Sequence, residues 1–369
     1  MTSAEDPSRG RTGGGRTGGG RSGRDLHLVT GASGFIGGHV VERLVGEGRP
    51  VRCLVRPTSD TTRLGGLDAE LAVADLTSTE SLARAVEGCR YVLHCAAMVS
   101  DWGTVEEIRE VNVAGTRNLL EASVGAGVER FVHLSTTDVY GYPGGSGVDE
   151  TYPPGAFRNW YAQTKLEAER EVRRAEETTP LSVVILRPAT VYGPRSDDVV
   201  GEMAAAIRGR HMVLVDGGRG NAGLTYVENL VDAAMLALEH DDAPGQAFNI
   251  TDGLTVTWRQ FVDDLAVGLG CPRVRWSVPY PVASGLALSL EQGYRLLRRA
   301  TGIRTAPLLS RQAVHVLGRP QDFSIRRARA LLGWQPRVDY PAGLAATLAW
   351  LREEPAVSRH SGGRRRRRA

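Results

Sequence analysis

The sequence predicts an α/β protein: a Rossmann-type doubly wound parallel sheet with a smaller C-terminal substrate-binding lobe. Short, near-continuous apolar runs alternate with amphipathic helical stretches from Asp25 onward, the pattern of parallel strands covered on both faces. The first run leads directly into a glycine-rich turn and a helix, and the alternation loosens after Gly193. A chain of 369 residues, 41% hydrophobic and 24% charged, has a globular composition and ample apolar surface to bury.

The runs are LHLVT at 26–30, VRCLV at 51–55, LAVAD at 71–75, YVLHCAA at 91–97, RFVHLST at 130–136 and SVVILRP at 182–188. Apolar residues recurring every three or four positions predict a helix after the first run through Val45, and others over 105–126, 160–176 and 227–239. HMVLV, AFNIT and LTVT are strand-like pieces of the later part, and 278–317 is a mixed stretch rich in Leu, Pro and Arg. Such irregularity reads as a lobe dressing the carboxyl edge of the sheet, where this fold class binds ligands. The apolar segment 278–290, which leads into a cationic stretch at 294–299, is expected to be a buried helix of that lobe. A helix lying on a membrane surface or lining an apolar pocket is the alternative. The expected organisation is a Gly/Arg-rich disordered tail over 1–24, a dinucleotide-binding domain over 25–192, a lobe over 193–354 partly interleaved with it, and a basic disordered tail over 355–369.

The net charge of +3 is set by these tails: between them, 25–354 carries 34 basic and 40 acidic residues. An acidic body offers nucleic acid no general attraction. No apolar window reaches the roughly 20 residues of a membrane span, and no secretory h-region opens the chain. The four cysteines form no CxxC pair, so neither a metal site nor a disulfide framework is expected, and a soluble cytoplasmic protein is. Of the 45 basic residues 44 are arginine; Lys165 alone is lysine.

LVTGASGFIGGHV places Gly31, Gly34 and Gly37 between a strand and a helix. The first glycine permits the tight turn, the second lets backbone approach a pyrophosphate, and the third allows close helix–strand packing. At the tip of the second strand NAD sites carry an acid for the ribose 2′-hydroxyl, whereas an arginine suits a 2′-phosphate. Here Val55 stands where the acid is expected and Arg56 follows. NADP(H) is favoured, with NAD(H) as the alternative. In NWYAQTK, Tyr161 and Lys165 are four apart on a predicted helix and leave the same face. A neighbouring ammonium favours phenolate, which fits Tyr161 for general acid/base work.

The GxxGxxG spacing after Thr30, together with YxxxK, resembles the extended short-chain dehydrogenases/reductases, the superfamily of NAD(P)-dependent epimerases, dehydratases and 3β-hydroxysteroid-type dehydrogenases. The resemblance covers about residues 25–352. It implies that Ser33, Phe35 and Ile36 wrap the diphosphate, that Asp75 and Leu76 contact adenine, and that Cys95, Ala96 and Ala97 line the ribose side. It also implies that Lys165 binds the nicotinamide ribose, that Pro188 and Val191 belong to the loop fixing the nicotinamide amide, and that Asn112 supports the catalytic helix. By the same resemblance, counting back from VYG selects Thr136 among Ser135, Thr136 and Thr137 as the hydroxyl that orients the substrate oxygen. Ser100, Asp101, Thr137 and Tyr192 are candidate substrate contacts.

Within the superfamily, dehydratases carry Asp-Glu after the catalytic Thr, and this chain has Thr137 and Asp138. Nucleotide-sugar epimerases place Arg where this chain has Ala222, which weakens binding of a diphosphate substrate, although Arg219 lies nearby. CLVRPTS, VSDWG, LTYVENLVDA and DFSIRRARALLGWQP look like the 3β-hydroxysteroid dehydrogenase and dihydroflavonol-reductase-like group. The expectation is an NADP-dependent ketoreductase or secondary-alcohol dehydrogenase for a hydrophobic ketone or alcohol, steroid- or polyketide-like, and a homodimer. A nucleotide-sugar 4-epimerase or reductase with tightly held NAD, and a non-catalytic dinucleotide sensor, are the alternatives.

Overall fold

The computed structural model describes residues 25–99, 104–155, 159–301 and 311–353, with the backbone alone at 291, 294–301 and 311. Both expected tails lie outside the described residues. Strands β1 (Leu26–Thr30), β2 (Val51–Val55), β3 (Glu70–Val73), β4 (Cys89–His94), β5 (Arg130–Leu134) and β6 (Ser182–Pro188) coincide with the six apolar runs to within a few residues. With β10 (Ala247–Ile250) they form a seven-stranded parallel sheet in the order β10-β6-β5-β4-β1-β2-β3. The lobe adds two small parallel pairs, β7 (Thr190–Tyr192) with β9 (Leu224–Tyr226), and β8 (Leu214–Val215) with β11 (Ser277–Val278).

Helices α1 (Phe35–Gly46), α2 (Thr79–Val86), α3 (Val105–Arg109), α4 (Gly115–Gly125), α5 (Trp160–Thr178), α6 (Glu202–Arg208) and α7 (Val227–Glu239) alternate with the strands. Two apolar cores fill the two sides of the sheet. One joins α1 and α7 to Val29, Val132, Val184 and Leu186; the other joins α2, α4 and α5 to Leu28, Val92, Phe131 and Ile185. Alternate residues of one strand therefore enter opposite cores, which is why the runs show no polar alternation. Ten of the thirteen residues of α7 are buried, because this helix lies between the sheet and the lobe.

The remaining helices are α8 (Trp258–Gly268), α9 (Tyr280–Thr301), α10 (Arg311–Gly318), α11 (Arg326–Leu332) and α12 (Tyr340–Glu353). A third core around Trp258, Phe261, Tyr226 and Tyr340 holds the lobe together. Three strand-like pieces come out differently from the sequence expectation. AFNIT supplies β10 to the main sheet, and HMVLV shrinks to the two residues of β8. LTVT forms no strand, since the Thr257 hydroxyl accepts from Gln260 N–H and caps α8. The apolar segment at 278–290 is buried on one face only. Ala283 and Ala287 pack on Val215 and Val314, while Val282, Leu286, Leu288 and Leu290 are exposed.

Candidate active site

The strand order reverses between β1 and β4, whose ends align Thr30 with His94, so a crevice opens at the carboxyl edge. Gly31 follows β1 with φ +68°, and a Cβ there would lie 2.9 Å from Ala96 N. A Cβ on Gly37 would lie 2.2 Å from the Gly31 carbonyl, so both positions admit only glycine without backbone movement. Gly34 caps α1 with no side-chain hydrogen bond, which leaves the first-turn amides to an anion. Ser33 and Gly34 are exposed, and Phe35, Ile36, Cys95, Ala96 and Ala97 are partly exposed around the turn. This bare, uncapped cradle fits a dinucleotide diphosphate.

Val55 is buried at the tip of β2, and Arg56 beyond it is exposed. At the end of β3 the Asp75 carboxylate accepts from the Thr77 N–H and O–H at 2.9 and 2.7 Å, and these bonds, aided by Arg56, hold it below the usual carboxylate range. Leu76 is buried and packs where a Cβ on Gly115 would otherwise sit. Pro188 is buried at the end of β6, and Val191 is partly exposed on β7. Past β7 the chain folds back on α1: His39 donates to the Pro194 carbonyl at 3.1 Å and Arg195 pairs with Glu42. Burial, with help from Arg195, lowers His39 to about 4, so it is neutral here.

Asn159 caps α5 by accepting from Tyr161 N–H at 2.9 Å and Ala162 N–H at 3.3 Å, which fixes the start of the helix that carries Tyr161 and Lys165. Tyr161 is half-buried in its first turn; Lys165, one turn on, is 2% exposed. Lys165 Nζ donates to the Leu134 carbonyl at 2.6 Å and lies 3.3 Å from His133 Nε2. Burial lowers its pKa to about 8, with Glu169 and Cys95 opposing the drop. Thr136 sits at the end of β5, where its hydroxyl oxygen accepts from Asp138 N–H at 3.2 Å and keeps its own hydrogen to donate. Ser135 and Thr137 are buried beside it, and the Ser135 hydroxyl has no partner among the described residues. Burial pushes Asp138 up to about 6, against hydrogen bonds from Tyr142 and Gln312.

A buried hydrogen-bond chain that the sequence did not reveal ties these parts together. Ala96 N–H donates to Thr30, whose hydroxyl faces His94 Nδ1 at 2.8 Å; His94 Nε2 meets Thr116 at 2.9 Å, and Thr116 donates to the Asn112 carbonyl. Because Thr116 spends its hydrogen on that carbonyl, His94 carries its proton on Nε2. Asn112 lies in a π-helical turn, Glu110–Ala114, which joins α3 to α4. Its side chain bonds Met98 N–H and C=O, and donates to Thr164, which donates to the Tyr161 carbonyl. Behind Lys165, Glu169 takes two hydrogen bonds from buried Arg187, which also donates to Tyr140. The available signal was a polar residue inside an apolar run: His94, His133 and Arg187.

Tyr192 does not join this group. It is fully buried against Tyr226, Phe261 and Tyr340, so it is a core residue of the lobe, and the proposed site omits it. Ser100 and Asp101 lie outside the described residues. Among the described residues no cluster of three His, Cys, Asp or Glu could hold a metal, and no helix is long and apolar enough to cross a membrane.

The sequence profile of the NAD-dependent epimerase/dehydratase family matches residues 27–251. The chain is 32% identical over 86% of its length to a Stigmatella aurantiaca protein named 4-hydroxy-2-methyl-3-oxo-4-farnesyl-3,4-dihydroquinoline-1-oxide ketoreductase, of which it covers 94%. It is 34% identical over 84% of its length to a Mycobacterium tuberculosis 3β-hydroxysteroid dehydrogenase/Δ5→4-isomerase, of which it covers 85%. The solved structure of MoeE5 with UDP-glucose and NAD superposes with a TM-score of 0.68 at 28% identity, over 89% of this chain and 99% of that one. Glycine cradle and sequence kinship agree: the chain belongs to the NAD-dependent epimerase/dehydratase family, within the extended short-chain dehydrogenases/reductases, and is an oxidoreductase that uses a nicotinamide dinucleotide.

Proposed function

We propose that this oxidoreductase is an NADP(H)-dependent ketoreductase, or in reverse a secondary-alcohol dehydrogenase, for a hydrophobic steroid- or polyketide-like substrate. One observation carries the substrate class: Ala222, where a nucleotide-sugar epimerase would place an arginine, is fully buried in the apolar core of the lobe. A substrate diphosphate would find no cation at that point. The names of the Stigmatella and Mycobacterium relatives point to ring ketones and alcohols in the same way. Arg56, exposed beyond buried Val55, supports a 2′-phosphate on the cofactor.

When bound, the cofactor supplies hydride to the carbonyl carbon. Tyr161 gives its phenolic proton to the carbonyl oxygen, and the Thr136 hydroxyl donates to the same oxygen and orients it. The Lys165 ammonium, one turn along α5, favours the phenolate that is left. Buried Thr137 supplies no carboxylate of the kind that elimination of water needs, so the reaction ends at the alcohol. We place the protein in the reducing cytoplasm, where its four free cysteines stay thiols, and as a homodimer, for which sedimentation velocity is the check.

The test is a nicotinamide-absorbance screen of hydrophobic ketones and alcohols with NADPH and NADH in parallel. Turnover with NADPH is expected, and Tyr161→Phe should lower kcat by about 10³-fold while cofactor binding persists. Copurified NAD with turnover of a UDP-sugar would overturn this reading in favour of an epimerase.

A further inference from the structure

Lys165 is buried, and an ammonium has three hydrogens and no acceptor. One hydrogen goes to the Leu134 carbonyl at 2.6 Å and a second to His133 Nε2 at 3.3 Å, which leaves a third uncommitted among the described residues. Since an ammonium only donates, His133 must accept through Nε2 and carry its own proton on Nδ1. His133 is fully buried, and Nδ1 has no hydrogen-bond partner among the described residues. An apolar residue in this strand would avoid that unpaired N–H, so the imidazole needs a reason to be there.

We propose that His133 is a positioning residue for the reaction, whose Nε2 accepts from Lys165 and so holds the amine charged and in one orientation on the Tyr161 turn.

Glu169 also favours the ammonium through its charge, but among the described residues Glu169, His94 and Cys95 make no hydrogen bond to it. Glu169, one turn along α5, spends both carboxylate oxygens on Arg187 of β6. His94 of β4 has both nitrogens committed, to Thr30 and Thr116. Burial raises the Cys95 thiol to about 12, so it brings no thiolate. Tyr161 is the group that Lys165 is there to serve. Burial, then the Lys165 charge, keep His133 well below the ordinary histidine pKa, so it stays a neutral acceptor throughout the working pH range. A cation beside the ammonium would repel it; a neutral imidazole nitrogen stabilises it.

The inference rests on the reading of Tyr161 and Lys165 as the proton-transfer pair, but its test needs no turnover. Lys165 is the only lysine, so protein grown on ¹³C-lysine gives one ¹³Cε resonance whose titration reports this amine. His133→Leu removes the acceptor, and His133→Gln places an amide oxygen close to the position of Nε2. The wild-type midpoint is expected near 8. His133→Leu should lower it by about one pH unit, the size expected for a lost hydrogen bond to a charged group. His133→Gln should restore the wild-type value. An unmoved midpoint in His133→Leu, or an equal fall in His133→Gln, overturns the proposal. If His133→Leu does not fold, ¹⁵N spectra of the wild-type imidazole decide, with the resonance assigned by its loss in His133→Gln. The Nδ1–H tautomer is expected below the lysine midpoint, and the Nε2–H tautomer overturns the proposal. A normal titration with every hydrophobic ketone inert refutes the proposed substrate alone; turnover with an unmoved midpoint refutes this inference alone.

Discussion

Replacing Glu169 by Gln is expected to destabilise the protein by about 3–5 kcal/mol, the usual cost of leaving one partner of a buried ion pair uncompensated. Glu169 and Arg187 are 2% and 6% exposed at the side chain, and the guanidinium donates from Nε and Nη2 to the two carboxylate oxygens at 2.9 and 2.6 Å. Burial opposes the Arg187 charge, and the bonds and attraction of Glu169 outweigh it, raising the pKa. Gln keeps the shape but removes the charge and turns an N–H₂ toward a group that can only donate. Arginine cannot shed its proton to escape. At about 2.1 cal/mol/K of unfolding entropy per residue over the roughly 310 described residues, 4 kcal/mol lowers Tm by about 6 °C. Circular-dichroism melts of Glu169→Gln, Arg187→Met and the double variant measure it. The double variant should recover much of the loss, because neither charge is left stranded. A fall in Tm below about 2 °C for Glu169→Gln, or a double variant less stable than both singles, refutes the reasoning.

Arg56→Asp should weaken NADPH binding by about 10–100-fold through loss of a charge-assisted bond to the 2′-phosphate, and an unchanged NADPH to NADH ratio in fluorescence titration would remove that assignment. Gly37→Ala drives a Cβ to 2.2 Å from the Gly31 carbonyl, so α1 must leave β1. Dinucleotide affinity by calorimetry should fall by at least about tenfold, because the cradle needs that close approach. Lys165 titrates near 8 in the fold against 10.5 for the ordinary amine, so the unfolded chain holds the extra proton between those values and stability rises with pH there. Over the same window the reductase rate should fall as the ammonium is lost; a pH-independent kcat/KM from 7 to 10 would contradict the role of Lys165.

What could be read from the sequence was whatever depends on short spacing. Gly31, Gly34 and Gly37 follow their strand directly, and Tyr161 and Lys165 share a helix face, so four-residue arithmetic reaches them. Thr30 and His94 are 64 residues apart, and Tyr140 and Asn249 are 109 apart; only the order of strands in the sheet brings them together. LTVT misleads because β-branched residues in a row look like a strand, while the hydroxyl of Thr257 is worth more as a helix cap. Tyr192 misleads for the opposite reason. It lies close in sequence to the loop after β6, but β7 pairs with β9 and turns its ring into the lobe core.

The two buried cations behind the crevice explain why a chain with 44 arginines keeps one lysine. Arg187 stays charged at any working pH and needs a carboxylate to satisfy it, which Glu169 supplies. An arginine at position 165 would bring five donors to a place where, among the described residues, Lys165 meets two acceptors, Leu134 O and His133 Nε2, and surplus N–H groups in the interior are costly. The lysine has two hydrogens for those two acceptors and one left over. Burial holds it near 8 against the attraction of Glu169, so its charge is poised rather than permanent. In the proposed mechanism that permits the same amine to stabilise phenolate on Tyr161 and yet respond when the phenol gives up or regains its proton.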